Sequence, residues 1–395
     1  MIRNGIEAYR QLSDTMEQLA RLQKRPVYDC GDGVYEIVMT GSGLSDFEEL
    51  RRELMKSGAL LWDNTIAGNR FCGAAAEADG AQGYISLAYL PGARELRMAS
   101  NPTGAAMPDR LGDAPKHVGS VRLTQVCPDD SAGNFGMCYV FALGEGHYLV
   151  YDGNGDAGDD HDKLYQCLCE GLAPGGRPVV DAWILTHPHW DHLAGPVKFA
   201  KKYGDMVEVR NLLFNVPSLT ASYFYKELGS LAITRGLWLR ELQELFPDAA
   251  VYKPHTGQRF AAGDAQVEVL YTHEDLYPHG QLTNNDASLV TMVTVHGKKL
   301  FFPADVGCEK ACRIVADRYG GYLKSDYYQA AHHGWDTGAL AFYSLVDAPE
   351  VLWPLRKRDW ERIQCFPATQ VMVKEMEEQR RRFHIAWDEN ISIEL

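Results

Sequence analysis

The stretch Thr186-His187-Pro188-His189-Trp190-Asp191-His192 puts four metal-ligand side chains within six residues. It continues Val179–Thr186, an apolar run that reads as a strand, and leads into Leu193–Tyr203, whose spacing predicts a helix. Side chains alternate along a strand, so His187 and His189 point the same way and can hold one ion. Asp191 and His192 follow as the chain turns into the helix, where they can face a second ion. A strand end feeding a helix start is where α/β folds place ligands. Imidazole combined with hard carboxylate suits zinc, manganese or iron rather than copper or calcium.

Around this stretch strands alternate with helices. Val121–Cys127, Met137–Leu143 and Tyr148–Tyr151 read as strands, the last ending in Asp152-Gly153-Asn154-Gly155, and Lys163–Gly171 reads as a helix. A longer helical stretch, Leu219–Phe246, is interrupted by Gly229 and Gly236. Strands recur at Val267–Tyr271, Ser288–Val295 and Lys299–Pro303, and a helix at Glu309–Tyr319 leads to the strand Tyr327–Ala331. Further helix–strand steps, including Thr369–Gln379, end in Ile391–Leu395. Ahead of this unit, residues 1–20 have amphipathic helical spacing, Val34–Thr40 is a strand, and Ser45–Ser57 is a helix opened by the capping box Ser45-Asp46-Phe47-Glu48. Short strands at Arg70–Ala75, Tyr84–Tyr89 and Glu95–Met98 follow. Asn101–Gly119, rich in Pro, Gly, Ala and Asp, reads as a linker or surface crossing. The expected division is a small α+β domain plus linker over residues 1–118, and a larger α/β domain over 119–395 that carries the histidine cluster.

Composition narrows the partners. The 395 residues are 46% hydrophobic and 23% charged, ordinary globular usage. A formal net charge of -14 repels polyanions, which argues against a nucleic-acid partner. The two dense basic runs, Arg356-Lys357-Arg358 and Arg380-Arg381-Arg382, read as solvated faces. The nine cysteines form no metal-finger spacing and read as reduced thiols, mostly buried. Residues 1–22 lack a signal-peptide apolar stretch, and no run approaches the roughly 20 apolar residues of a membrane span. A cytoplasmic protein without membrane contact is expected. Its partner is a small-molecule or ester substrate.

Three more stretches align with the histidine cluster. Tyr148-Leu-Val-Tyr-Asp152-Gly153 is a strand ending in Asp-Gly, Lys299-Leu-Phe-Phe-Pro-Ala-Asp305 ends in aspartate, and Tyr328-Gln-Ala-Ala-His332-His333-Gly334 carries a histidine pair. Together with the H-x-H-x-D-H segment they resemble, in order, the motifs of the metallo-β-lactamase fold over roughly residues 120–395. The resemblance implies a four-layer αββα sandwich with two divalent ions, zinc or manganese first and iron as a further option. It implies that Asp305 bridges the ions, with Ala304 standing where the family has glycine. Within that superfamily, Asn285-Asp286-Ala287-Ser288-Leu289-Val290 and His332-His333-Gly334 are most similar to the branch holding the DNA-internalisation competence hydrolase domain and the phosphorylcholine esterases. Phe366-Pro367 stands where that branch often has His-Pro.

The expected metal ligands are His187, His189, Asp191, His192, Asn284, Asp305 and one of His332 and His333. Many family members place a third first-site histidine ahead of the Ser-Leu-Val strand. Here Asn284, Asn285 and Asp286 stand there instead, so Asn284 or Asp286 supplies oxygen, water fills the place, or His273 takes it. Asp191 is expected to orient a hydroxide held between the ions, and the non-ligating member of the His332–His333 pair to protonate the leaving group. No G-x-S-x-G elbow or P-loop competes. A phosphoester or phosphodiester hydrolase is the first expectation. A carbonyl-ester, lactone or thioester hydrolase is the second, and a binding protein with a degenerate metal site the third. Trp190, Trp335, Trp238 and Tyr223-Phe224-Tyr225 are candidate pocket walls, while substrate recognition or a homo-oligomer contact is open to residues 1–118.

Overall fold

A computed structural model describes residues 27–31, 34–56, 60–78, 81–101, 107–113, 119–129, 136–217, 230–276, 283–307, 309–335 and 338–395. The expected helix over 1–20 and the aromatic run 223–225 lie outside the described residues.

The N-terminal unit is an antiparallel sheet of β1 (Val27–Gly31), β2 (Val34–Thr40), β3 (Leu60–Ile66), β4 (Asn69–Ala78), β5 (Ala81–Leu90) and β6 (Glu95–Asn101), in the order β1-β2-β6-β5-β4-β3. Helix α1 (Leu44–Lys56) covers one face through Phe47 and Leu50, against Ile37, Cys72, Ile85 and Leu87. The predicted capping box is displaced by two residues. The helix starts at Leu44, and Asp46 reaches back to accept from the Gly43 N–H at 2.8 Å. Alternation along the strands sends Trp62, Phe71 and Tyr84 to the opposite face, where they join the core of the rest of the chain.

The remaining strands form two sheets. The first contains β7 (Arg122–Gln125), β8 (Cys138–Gly144), β9 (His147–Asp152), β10 (Val179–Ile184), β11 (Glu208–Val209), β12 (Asn211–Leu213), β13 (Ala250–Tyr252) and β21 (Ile391–Glu394). Its order is β13-β12-β10-β9-β8-β7-β21, with β9, β10, β12 and β13 parallel and β11 pairing beside β10. The second runs in sequence order through β14 (Arg259–Ala262), β15 (Ala265–Tyr271), β16 (Val290–Val295), β17 (Lys298–Phe302), β18 (Tyr327–Gln329), β19 (Glu350–Trp353) and β20 (Arg382–Ile385). It is antiparallel as far as β17 and parallel from there on.

Three apolar layers give the sandwich. Between the sheets lie Tyr139, Phe141, Tyr151, Ile184, Val267, Val293, Leu300 and Phe302. Outside the first sheet, Trp183, Val150 and Leu212 meet α2 (Asp160–Cys169), α3 (Trp190–Tyr203) and α4 (Ser230–Leu245) through Leu164, Phe199 and Leu242. Outside the second, Phe301, Met292 and Val351 meet α5 (Glu309–Tyr319), α6 (Gly338–Val346) and α8 (Pro367–Glu378), which follows the short α7 (Lys357–Ile363). The N-terminal sheet shares this last layer. The result is the expected αββα sandwich, with a third sheet docked on one flank.

Several expectations are revised. Of the long helix predicted over 219–246, the described part is Ser230–Leu245, and residues 219–229 lie outside the described residues. The linker 101–119 is in part fixed, since Met107 and Leu111 are buried between the sheets and Arg110 bridges to Ala261. Arg356 is not a solvated charge: it is 1% exposed and paired with Asp359 at 2.7 Å. Trp238 packs on the layer outside the first sheet. Among the described cysteines, seven are free thiols and five of those are buried. No described helix is long and apolar enough to cross a membrane.

The N-terminal sheet docks through charge as well as apolar contact. Arg97 is bonded to Glu36 at 2.8 Å and Glu95 at 2.5 Å, and its Nη1 also donates to the Glu274 carbonyl at 3.2 Å. One guanidinium serves two buried carboxylates, with Asp275 and Glu274 nearby, so burial pushes Glu36 up to about 8 despite the opposing pull of Arg97. Folded Glu36 therefore keeps its proton to about pH 8, whereas the unfolded side chain loses it near 4.5. Its contribution to stability is complete below that lower value and is lost as pH rises toward 8. Glu36→Gln, which cannot ionise, should gain stability relative to wild type between pH 5 and pH 8 in urea unfolding. A pH-independent difference would contradict this.

Candidate metal centre

The site forms at one edge of the sandwich, where ends of both sheets meet. From the first sheet, β10 ends at Ile184 and α3 begins at Trp190, with His189 as its N-cap residue in extended conformation. His187 and His189 thus lie beyond the strand, yet they still converge, with Nε2 and Nδ1 3.0 Å apart. The α3 start fits closely under the β9 end: a Cβ on Gly195 would lie 2.0 Å from the Gly153 carbonyl oxygen. From the second sheet, β17 delivers Asp305 and β18 delivers the histidine pair.

Two groups of ligand atoms result, each within 4.8 Å: His187, His189 and Asp305, and Asp191, His192, Asp305 and His333. Asp305 belongs to both. Its Oδ2 is 3.2 Å from His192 Nε2, 3.3 Å from His333 Nε2 and 3.6 Å from His187 Nε2. Asp191 Oδ2 lies 3.3 Å from His333 Nε2 and 3.9 Å from His192 Nε2.

The outward nitrogens are anchored. Asp152 Oδ2 lies 2.8 Å from His192 Nδ1, while its carboxylate also accepts from Thr186 N–H and Oγ1, each at 2.7 Å. His333 Nδ1 donates to the Pro354 carbonyl at 2.7 Å. Both rings therefore carry their proton on Nδ1 and turn Nε2 inward, the arrangement that a metal-ligating histidine needs. The Asp305 N–H donates to Ser288 Oγ at 3.2 Å. Asp305 Oδ1 is buried with no hydrogen-bond partner among the described residues, as a ligand oxygen awaiting a cation would be.

The electrostatics agree with a cation-shaped gap. Burial opposes charge on His333, but Asp305 and then Asp191 push it up to about 10. His192 is likewise raised well above its ordinary value, against burial, by Asp305, Asp191 and Asp152. Asp305 and Asp191 are held below the usual carboxylate range against burial, chiefly by His192, with His333 also contributing. His187 is driven well below its ordinary value by burial and then by His192.

His333 lies within the second group; His332 lies outside both. The two residues occupy left-handed backbone, φ 50° and 55°, which separates their rings. His332 Nε2 is 3.1 Å from Asn285 Nδ2. Asn284 is buried at the start of the short turn Asn285–Ala287. Asp286 accepts from Thr283 N–H and Oγ1 at 3.1 and 2.9 Å, so it closes that turn. His273 is tied to Asn215 Oδ1 at 3.0 Å and belongs to neither group. Trp335 flanks the histidine pair and packs against Phe366 with the rings tilted by 41°, and Arg362 lies over its ring at 5.0 Å. A third acidic group, Asp113, His147 and Asp181, lies at the opposite strand ends, and Arg210 pairs with both of its carboxylates. Sequence reasoning assigned no role to Asp152, Thr186, Ser288 or Pro354. Only Asp152 had a signal, the Asp-Gly at a strand end.

Residues 132–306 match the family described as the metallo-beta-lactamase superfamily. No curated protein matches the sequence. Among solved structures, the chain is similar to CmlA, a diiron beta-hydroxylase from Streptomyces venezuelae, with 14% identity, TM-score 0.41, and coverage of 71% of this chain and 55% of CmlA. The chain thus spans about half the length of that protein. A putative metal-dependent hydrolase from Parabacteroides distasonis aligns with 11% identity, TM-score 0.33, and coverage of 66% of this chain and 98% of the other. A Cronobacter sakazakii metallo-beta-lactamase aligns with 12% identity, TM-score 0.32, and coverage of 63% and 85%. The family match spans the strand-end Asp-Gly, the histidine cluster and Asp305, so the stretch similar to that superfamily is the one that builds the site.

Proposed function

We propose that the protein hydrolyses phosphoester or phosphodiester bonds at a dinuclear centre. The observation that carries this reading is the sharing of Asp305 between two ligand groups. His187, His189 and Asp305 would hold one ion, and Asp191, His192, Asp305 and His333 the other. The mixed imidazole and carboxylate donors suit zinc or manganese, and also iron. Two such ions supply an acidified water and charge stabilisation at the attacked group. Asn284, buried ahead of Ser288, is the candidate oxygen donor to the first ion in place of a third histidine.

The chain's own residues supply the rest. Asp191, ionised across the neutral range, accepts a hydrogen bond from the attacking water and so orients it. His332, in contact with Asn285 and outside both ligand groups, is the member of the pair left for proton transfer to the leaving group. The preference for phosphorus over a carbonyl centre rests on the branch resemblance of Asn285–Val290 and His332-His333-Gly334.

Four outcomes are expected. With manganese or zinc, the protein should cleave bis-p-nitrophenyl phosphate in preference to lactones and thioesters, and turnover confined to carbonyl substrates would refute the phosphoester reading. His332→Gln should keep its metal while losing about 10²–10⁴-fold in kcat, and an unchanged kcat would remove His332 from the proton path. Asp152→Asn, which disturbs the His192 anchor, should weaken metal affinity about 10–100-fold. Metal uptake should also release protons. The His333 proton, held to about pH 10 without metal, must leave, so affinity rises with pH toward that value. Calorimetry in two buffers of different ionisation enthalpy would show net release, and zero release would contradict it.

A further inference from the structure

Strand β17 pairs with β18 through Leu300–Tyr327 and Phe301–Tyr328, and that ladder goes no further. Past its end, one segment runs through Ala304 to Asp305 and the other through Ala330 to the histidine pair. Ala304 is left-handed, with φ 50°, which breaks the strand pattern just before the shared carboxylate. The two ligand-bearing segments therefore need some other tie.

The side chain of Gln329, the last residue of β18, supplies it. Its Nε2 donates to the Ala330 carbonyl at 2.7 Å and to the Ala304 carbonyl at 3.3 Å. The Ala304 carbonyl also accepts from the His332 N–H at 3.0 Å. One amide thus joins the backbone ahead of Asp305 to the backbone ahead of His332 and His333. Yet the amide is poorly placed for stability. Alternation along β18 puts Gln329 on the face of Tyr327, which belongs to the apolar layer between the sheets. Gln329 is fully buried, and its Oε1 has no hydrogen-bond partner among the described residues. A buried acceptor left unsatisfied is destabilising, whereas an apolar side chain of equal length carries no such cost. What the glutamine provides is its grip on two carbonyls.

We propose that Gln329 is a positioning residue of the metal centre. Its amide fixes Asp305 relative to His333, and so sets the affinity for the ion held by Asp191, His192, Asp305 and His333. The proposal rests on the metal centre of the preceding section and not on the preference for phosphoesters. Asp305 Oδ2 and His333 Nε2 come from neighbouring strand ends and lie 3.3 Å apart. Metal–ligand distances tolerate only about 0.2 Å of error, so a loose joint between these segments would cost affinity.

The test is cobalt titration of the metal-free full chain, followed by the visible d–d bands, in wild type and Gln329→Met. Methionine keeps the length and removes the amide. Urea unfolding of both metal-free proteins is measured alongside. The expected result is cobalt affinity lowered about tenfold or more and altered d–d bands, with the urea midpoint of the wild type retained. Wild-type affinity and bands in the variant would overturn the proposal. A lowered urea midpoint in the metal-free variant would also overturn it, because Gln329 would then serve the fold. Should Gln329→Met not fold, the same readings on Gln329→Glu, which keeps both length and a polar head, decide. A wild type that takes up a single ion contradicts the dinuclear reading, while the ratio of affinities still judges Gln329.

Discussion

Asp305 constrains the molecule more than any other side chain. Its carboxylate is buried and lies within 3.6 Å of imidazole nitrogens from His187, His192 and His333. Such a group is tolerated in the interior only beside compensating positive charge. The two sheets must therefore meet at one edge in fixed register, because the first supplies His187 and His192 while the second supplies Asp305 and His333. The shared core of Tyr151, Ile184, Val293 and Phe302 holds that register, and the Leu289 N–H donates across it to the Thr186 carbonyl at 2.9 Å.

Five of the eleven described non-glycine residues with left-handed φ lie at the same edge. Asp152, Asn154, Ala304, His332 and His333 all have left-handed φ values, between 48° and 62°. Each costs of order 1–3 kcal/mol in a non-glycine residue and persists only where neighbours over-determine it. At Asp152 those neighbours are Thr186 and His192. At Ala304 the His332 N–H donates to its carbonyl at 3.0 Å, so this left-handed position also fixes the histidine pair.

Much of this was legible in the sequence, for identifiable reasons. The ligands are clustered or directly follow apolar strands, so His187, His189, Asp191, His192 and Asp305 could be named from spacing and motif, and the structure brings them together with His333. Val34–Thr40 and Glu309–Tyr319 form at their predicted bounds because their patterns are regular. Choosing between His332 and His333 needed the left-handed backbone, which two consecutive histidines do not announce. The anchors at Ser288 and Pro354 are long-range contacts that leave no local pattern. Arg356 misled for the opposite reason: a basic run looks solvated unless its buried partner Asp359 is seen.

The N-terminal sheet belongs to the same framework. Phe71 packs against Gly257, where a Cβ would lie 2.1 Å from the ring, and Trp62, Tyr84 and Leu90 share a core with Phe301 and Tyr328. It thereby forms one wall of a cavity beside α5, whose chain leads back to Asp305. The central claim, two ions joined by one carboxylate, is tested most directly by counting bound metal in the wild type and in Asp305→Asn. The account predicts two ions per wild-type chain and loss of both from the variant. A wild type that binds fewer than two, or a variant that keeps both, would contradict it.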